Sequence, residues 1–350
     1  MNIKRFLILL FFSIIFLSFE TTAKAEKCHR NADGNIVVDD ESADGTDVVS
    51  HDGTTWNKDY CNEVPLFYKV KIYEAMFCSS DPYVDGSGDT GADPDLTSCT
   101  KFFTNAAGKE LIIQPNSKSD LFDGNIALPI GSFPYSVLMV DNELGIKHYE
   151  TYVDTGGEDA DINGHHTVAD NTAFSNGKTC YTHNKTTSFT GKNDATIHGK
   201  TIISTDPAKR NALGLVCTDS FDPNNPPSDY DYTTEIIDSI DGTCDASNDC
   251  DTTFRPYIGY QDSSLVFGRY AGVLVQNDLQ TVGSNRNNST RIAYIINFDT
   301  PVIIDEDVTG FEMLFSTSES VSIDWGAAND VTSAVKLGAD PFQVRYNFTR

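Results

Sequence analysis

The chain has 350 residues and a formal net charge of −26, with 51 Asp and Glu against 25 Lys and Arg. A charge balance this negative repels phosphate backbones and anionic lipid, so we exclude nucleic acid and membrane surfaces as partners. At this length the chain can bury one large apolar core or two smaller ones.

The first 25 residues predict a signal peptide for export. Lys4 and Arg5 form a basic start, an apolar run follows, and Ala23-Lys24-Ala25 fits the small-x-small rule for cleavage. The apolar run is shorter than the roughly 20 residues that a membrane helix needs, and no later segment is a better candidate. We therefore expect a mature chain from Glu26 that has no membrane span and is secreted, periplasmic or displayed at the cell surface.

All eight cysteines follow the expected cleavage point. An even number of cysteines in an exported chain favours disulfides, and the absence of Cys-x-x-Cys spacing argues against zinc–thiolate sites. The sequence does not fix the connectivity. The simplest expectation joins each cysteine to its sequence neighbour, which gives Cys28–Cys61, Cys78–Cys99, Cys180–Cys217 and Cys244–Cys250.

Changes in composition divide the rest of the chain into four segments. Residues 26–60 are an acidic, turn-rich arm, which we expect a Cys28–Cys61 bond to hold down. Residues 61–153 and 256–350 are dense in predicted strands, whereas residues 154–255 are rich in Asp, Asn, Thr and Gly. Two β-domains, or one sandwich with a long loop-rich insertion, fit this pattern. We favour the single sandwich, because neither strand block has enough strands to close a sandwich alone.

The strand blocks are identified by apolar residues at every second position. This alternation runs through PLFYKVKIY, FPYSVLMV, RIAYIINF and FQVRYNF, and it is typical of strands with one face in a core and the other in water. Asp-Gly pairs such as Asp33-Gly34 supply the turns between them. No convincing amphipathic helix is present. The sequence therefore predicts an all-β, immunoglobulin-like β-sandwich stabilised by disulfides.

One stretch in the insertion, DADINGHHTVAD (159–170), has the spacing of a calcium-binding loop. Alternate residues of a tight turn direct hard oxygen ligands at one centre, and a glycine permits the sharp bend. The candidate ligands are the side chains of Asp159, Asp161, Asn163 and Asp170 and the backbone carbonyl of His165. The flanking residues are not helical, which excludes a paired EF-hand. A single calcium loop between strands and an ordinary polar turn both fit the sequence.

Three further patterns each have a functional and a structural interpretation. Two other acidic loops, at 81–95 and 238–251, are either weak cation sites or solvated loops. Four histidines are either zinc or copper ligands or solvated loop residues: His165, His166, His183 and His198. Five aromatic residues form either a sugar-stacking platform or core contacts: Tyr230, Tyr232, Phe254, Tyr257 and Tyr260.

The order of the strand motifs also carries a resemblance. VKIYEAMFC, KELIIQP, LPIGSFPYSVLMVDNELGI and TPVIIDEDVTGFEMLFSTSESVSID follow one another, with Leu128, Pro129, Gly131 and Tyr135 near an LPxGxY-type turn. This layout resembles a bacterial surface-lipoprotein family of unknown function, although the lipid-anchor cysteine is missing and the Tyr is shifted by an insertion. The resemblance implies a β-sandwich displayed on or outside a bacterial cell, and it implies no chemistry.

Three functions remain after these observations. No nucleophile elbow, phosphate-binding loop or reactive-cysteine context is present, so we expect a non-enzymatic structural or adhesive protein of the cell surface or extracellular matrix. Its partners would be copies of itself or extracellular glycans and proteins. The alternatives are a calcium-assisted module that binds glycans or other ligands, and a secreted hydrolase whose paired carboxylates need no sequence motif.

Overall fold

The computed structural model of the chain describes residues 27–28, 30–38, 48–49, 55–56, 60–86, 91–115, 121, 126–154, 179–189, 196–202, 215–218, 220–240, 254–263, 268–318, 320–325, 335–339 and 342–350. These residues form strands, turns and loops without a helix, so the all-β prediction is confirmed. Among them, accordingly, no helix is long and apolar enough to cross a membrane. The strands in chain order are β1 (Ile36–Val38), β2 (Val48–Val49), β3 (Thr55–Trp56), β4 (Tyr60–Glu63), β5 (Phe67–Cys78), β6 (Cys99–Ile113), β7 (Gly131–Asp141), β8 (Glu143–Lys147), β9 (Tyr149–Asp154), β10 (Thr179–Thr182), β11 (Thr186–Ser188), β12 (Thr196–Ile197), β13 (Lys200–Thr201), β14 (Leu215–Thr218), β15 (Thr233–Ile236), β16 (Tyr257–Ser263), β17 (Gly268–Val275), β18 (Arg291–Ile304), β19 (Gly310–Ser316), β20 (Val321–Trp325), β21 (Val335–Ala339) and β22 (Gln343–Thr349).

A nine-stranded sheet organises the described part of the fold. Its strand order is β11-β15-β8-β5-β7-β18-β17-β16, and β6 pairs with the other edge of β5. Strand β7 comes from the first predicted strand block and β18 from the second, and the two pair from Asp141↔Arg291 to Gly131↔Ile304. Both blocks therefore contribute to one sheet, and β11 and β15 of the predicted insertion extend it.

The large sheet divides where β7 passes into β8. Both strands pair with the same edge of β5, since Val140 lies opposite Ile72 and Ile146 lies opposite Tyr68. On their far side, β7 pairs with β18 whereas β8 pairs with β15. Two branches, β18-β17-β16 and β15-β11, consequently diverge from one continuous line of backbone, and we call this point the fork.

Asn142 occupies the fork and is completely buried. Its side-chain Nδ2 donates to the backbone oxygen of Ile237 at 3.1 Å and to that of Ser289 at 2.7 Å. Its backbone amide donates to Thr290 O, and its backbone oxygen accepts from the amide of Ile237. Ile237 follows β15, whereas Ser289 and Thr290 precede β18, so this one residue joins the two branches where no ladder can continue.

One face of the large sheet packs against three smaller sheets. These have the strand orders β19-β22, β21-β20-β4 and β1-β9-β10-β14. Leu138 and Tyr294 of the large sheet belong to the same buried apolar cluster as Ile36, Ile323 and Val344 of the smaller ones. Burial of this continuous apolar surface is the main stabilising term for the arrangement.

The opposite face of the large sheet is also covered, which the alternating sequence pattern does not predict. Val137 and Ile295 are buried there in a second apolar cluster. The cover comes from residues 79–86 and 91–98, and from residues 276–290, whose side chains pack over the sheet. The prediction of one face in water is therefore wrong for the centre of the sheet. The covering side chains are those of Tyr83, Leu96, Leu279 and Val282.

The described start of the predicted N-terminal arm is held by a disulfide and by ion pairs of the exposed Arg30. Cys28 is bonded to Cys61. Arg30 forms two parallel hydrogen bonds with the carboxylate of Glu150, at 2.6 and 2.9 Å, and its Nη2 lies 2.9 Å from Glu63. Burial raises the pKa of Glu150, but hydrogen bonds from His148 and Arg30 outweigh it and hold the pKa below its ordinary value. Strand β1 can then pair in parallel with β9.

Two of the predicted disulfides are observed, and a fifth cysteine is also oxidised. Cys78–Cys99 joins the end of β5 to the start of β6, so it closes the loop that covers the second face. Cys180 is disulfide-bonded as well. The described cysteines include no free thiol, whereas Cys244 and Cys250 lie outside the described residues.

We predict that Cys180 is bonded to Cys217. The two residues lie opposite each other on the antiparallel strands β10 and β14, where Cα separations of about 4.5–5.5 Å fall within the range for disulfides. Digestion with trypsin and a Glu-specific protease under non-reducing conditions should link residues 179–185 to residues 211–235. Residues 236–255 should then appear separately, with their own internal bond. A link between 179–185 and 236–255 would contradict the pairing.

We also predict that Asn142→Ala lowers the free energy of unfolding by about 3 kcal/mol, because two buried backbone oxygens lose their donor. Denaturant unfolding monitored by fluorescence measures this change. The exposed Asn225 provides a matched control, and Asn225→Ala should change the stability by less than about 0.5 kcal/mol. An effect of Asn142→Ala as small as that of the control would show that the fork does not depend on this side chain.

Candidate functional site

The two-stranded sheet β19-β22 is the candidate interaction site. Phe311, Met313 and Phe315 of β19 alternate with polar or half-exposed residues, and Val344, Tyr346 and Phe348 of β22 do the same. The period of two places all six side chains on one face, which packs against the large sheet. The site therefore has an anchored inner face and an outer face that carries Glu312, Arg345 and Asn347.

Phe77 of β5 is the aromatic centre on which this small sheet rests. Its ring lies 5.1 Å from that of Tyr346 and 6.4 Å from that of Phe311, both in edge-to-face geometry. Phe102 stacks on its other side at 4.6 Å. The hydroxyl of Tyr346 is within 3.1 Å of Ser136 Oγ, and burial raises its pKa above the ordinary value. These contacts hold β22, and therefore β19, in one position on the core.

The edges of this small sheet differ from the edges of the large one. Seven residue pairs join β19 and β22, from Gly310↔Thr349 to Ser316↔Gln343, without a register shift. At the edges of the large sheet, the pairing of β6 with β5 shifts twice, that of β16 with β17 shifts once, and β11 has three residues. Bulges and short strands at an edge oppose the addition of a further strand.

Within the described residues, β19 and β22 have no strand partner other than each other. We define the outer edges as residues 313–316 of β19 and residues 346–349 of β22. A regular, extended edge offers alternating backbone donors and acceptors to another extended chain. Arg345, Asn347 and Thr349 are exposed on β22, so an added strand would meet a polar, hydrogen-bonding surface. The interaction that these outer edges can make is the addition of a strand.

Two of the five aromatic residues proposed as a sugar platform, Tyr230 and Tyr260, have well-defined neighbours. Tyr230 packs against Tyr149, Tyr181 and Phe221, with ring centroids 5.5–6.2 Å apart, and Lys147 Nζ lies 4.4 Å from the centre of its ring. Tyr260 instead contacts Tyr83, Asp81 and Arg269 beside β16. The rings of Tyr230 and Tyr260 therefore contact other rings or a cation, as the core-contact interpretation expects.

The proposed calcium loop lies outside the described residues, and its ligands Asp159, Asp161, Asn163, His165 and Asp170 stay a prediction. In the acidic loop 81–95, several carboxylates serve as local acceptors. Asp81 accepts from the hydroxyl of Tyr260 at 2.6 Å, and Asp93 accepts from the amide of Val282 at 2.7 Å. These two carboxylates stabilise loop structure.

The remaining candidates for metal ligands are dispersed. His183 is buried, and its backbone oxygen accepts from the Thr233 hydroxyl of β15. His198 lies at the β12–β13 turn, where it contacts Glu143, and His165 and His166 are not described. Asp238 of the second acidic loop is buried and paired with Arg286 at 2.9 Å. Across the described ranges, no group of three His, Cys, Asp or Glu side chains could hold a metal ion.

A polar cluster at the fork was not recognised from the sequence. Glu143, the residue after Asn142, accepts a hydrogen bond from Lys200 Nζ, and its Oε1 lies 3.6 Å from His198 Nδ1. The interaction with His198, with further help from Lys200, outweighs burial and lowers the pKa of Glu143 to about 2. The cluster docks the β12–β13 hairpin onto the fork. The polar run Asp141-Asn142-Glu143 between two apolar segments was the available signal.

Comparison with protein families, curated proteins and solved structures finds no match to this chain. The function of the molecule therefore has to be argued from its own residues.

We predict that Glu143 contributes stability that disappears in acid. Its ordinary pKa is 4.5 and its folded pKa is about 2, so the contribution is complete above about pH 4.5 and is lost as the pH falls toward 2. The difference in unfolding free energy between wild type and Glu143→Gln should shrink across this window in urea titrations. Glu306→Gln, at an exposed position, is the control. An equal difference at both ends of the window would contradict the assignment.

Proposed function

We propose that this protein is an exported, non-enzymatic β-sandwich of immunoglobulin-like type that has a structural or adhesive role outside a bacterial cell. In this proposal, residues 61–153 and 256–350 build one sandwich, and residues 154–255 are an insertion in it. The mature protein joins copies of itself, or another extracellular protein, by strand addition at the outer edges of β19-β22.

Several properties of the chain support this role. The large sheet packs through one apolar cluster against smaller sheets, as the layers of a sandwich do. Two disulfides, Cys28–Cys61 and Cys78–Cys99, suit an oxidising compartment. The expected signal peptide and the net charge of −26 agree with an exported, soluble chain.

The observation that carries the proposal is the regular β19–β22 ladder, whose inner face is fixed on Phe77 and whose outer edges have no bulge. Because the inner aromatic residues fix the register, an added strand would meet a preformed template and lose less conformational entropy on binding. At the edges of the large sheet, by contrast, the pairings of β16 with β17 and of β6 with β5 contain register shifts. Of these two sheets, β19-β22 is therefore the more regular template for strand addition.

The proposal predicts that a peptide of residues 342–350, FQVRYNFTR, binds the purified mature protein. Fluorescence anisotropy of the labelled peptide should show saturable binding, because the peptide supplies the strand that a partner would donate. A scrambled peptide of the same composition should not bind, since the alternation of apolar and polar residues is lost.

Light scattering and negative-stain electron microscopy extend the test to the whole protein. Oligomers or filaments that grow with concentration, and that the peptide but not its scrambled control dissociates, would support strand addition. A protein that is monomeric at every concentration and does not bind the peptide would overturn the proposal. Oligomers that the peptide leaves intact would place the interface on another surface and would also contradict the proposed edge.

A further inference from the structure

A cavity of about 240 Å³ opens on the core-facing side of the large sheet at the fork. Val140 and Leu144, the residues two positions before and after Asn142, both line it. Tyr270 and Ile292 line it from the β17-β18 branch, and Ile237, which follows β15, lines it as well. The cavity therefore exists because the two branches diverge at the fork.

The lining of the cavity is apolar. Ile240, Ile258 and Phe342 are among the further lining residues, and none of the described side chains that line the cavity is charged. Ser239 is the one lining residue with an aliphatic hydroxyl, and its Oγ is already engaged by the backbone of Arg255. Such a lining favours molecules that bind by shape and apolar contact rather than by charge.

Gly272 is the one lining residue without a side chain among those described. A Cβ at this position would meet Ile240 and Ile258 at 3.4 Å, which is ordinary van der Waals contact. A side chain is therefore sterically acceptable on this extended strand, and glycine is a residue that weakens strands. The presence of glycine leaves open a space that even an alanine would begin to fill.

We infer that the cavity binds a small, uncharged apolar molecule, and that this binding is independent of strand addition at β19-β22. The volume suits a pair of aromatic rings or a short aliphatic chain. A charged group would lose its hydration without gaining a partner in this lining. An anion would also be repelled by the net charge of −26.

Two fluorescent probes that differ by one charged group test the ligand class. N-phenylnaphthylamine is uncharged, and anilinonaphthalene sulfonate carries the same rings with a sulfonate. Both emit more strongly in apolar surroundings. We expect saturable binding of N-phenylnaphthylamine at one site per chain and binding of the sulfonate that is weaker by about tenfold or more. Equal binding of the two probes would indicate general apolar surface and overturn the inference.

A matched pair of glycine substitutions locates the site. Gly272→Val fills the cavity and should weaken binding of N-phenylnaphthylamine by about tenfold or more. Gly259→Val, on the neighbouring strand β16, adds the same atoms where a Cβ would meet one atom, the Tyr83 hydroxyl at 3.5 Å. This control should bind the probe as the wild type does. Equal binding by the two variants would overturn the location.

A second filling variant keeps the test decisive if Gly272→Val fails to fold. Ile258→Trp enlarges a half-buried lining residue on an edge strand, where the backbone tolerates change more readily. Near-ultraviolet circular dichroism should report a native spectrum, and probe binding should again fall by about tenfold. Native Ile258→Trp with unchanged probe binding, or wild type without saturable binding, would exclude the cavity as a ligand site.

Discussion

The amide of Asn142 makes the divided sheet physically acceptable. At the fork, β7 pairs with β18 and β8 pairs with β15, so the backbone groups between the two pairings lose their ladder partners. Buried backbone groups without hydrogen-bond partners lower the free energy of unfolding. A single side-chain amide meets this requirement because its Nδ2 has two hydrogens and reaches Ile237 O on one side and Ser289 O on the other. The position of the β15-β11 branch and the cavity beside it both follow from this arrangement.

Period-two patterns in the sequence predict the strands well wherever one face meets the core. In β18 and β22, residues such as Tyr294, Ile296, Val344 and Tyr346 all point toward the same apolar cluster, as their spacing requires. The pattern fails in β5 and β7, because residues 79–86, 91–98 and 276–290 bury the second face as well. Loops of this kind have no periodicity of their own, so their cover could not be predicted from alternation.

The interaction sites depend on pairings that are distant in sequence, which explains why sequence reasoning predicted them poorly. Cys28–Cys61 and Cys78–Cys99 join sequence neighbours, and a simple rule was sufficient for them. The fork brings Asn142 to Ser289, and the aromatic centre brings Phe77 to Tyr346. No local signal encodes such partners. The polar run Asp141-Asn142-Glu143 marks a break in a strand, but it does not indicate what fills the break.

The acidity of the chain limits how copies of it can meet. At a net charge of −26, two molecules repel each other over a distance set by the Debye length, about 10 Å at 0.1 M salt. Such repulsion suppresses loose apolar encounters more than a short-range hydrogen-bonded ladder, whose strength depends on direct contact. Several carboxylates also serve as internal acceptors, as Asp93, Glu143 and Glu150 do. The charge therefore disfavours random aggregation, while a regular edge such as that of β19-β22 can still accept a partner of matching pattern.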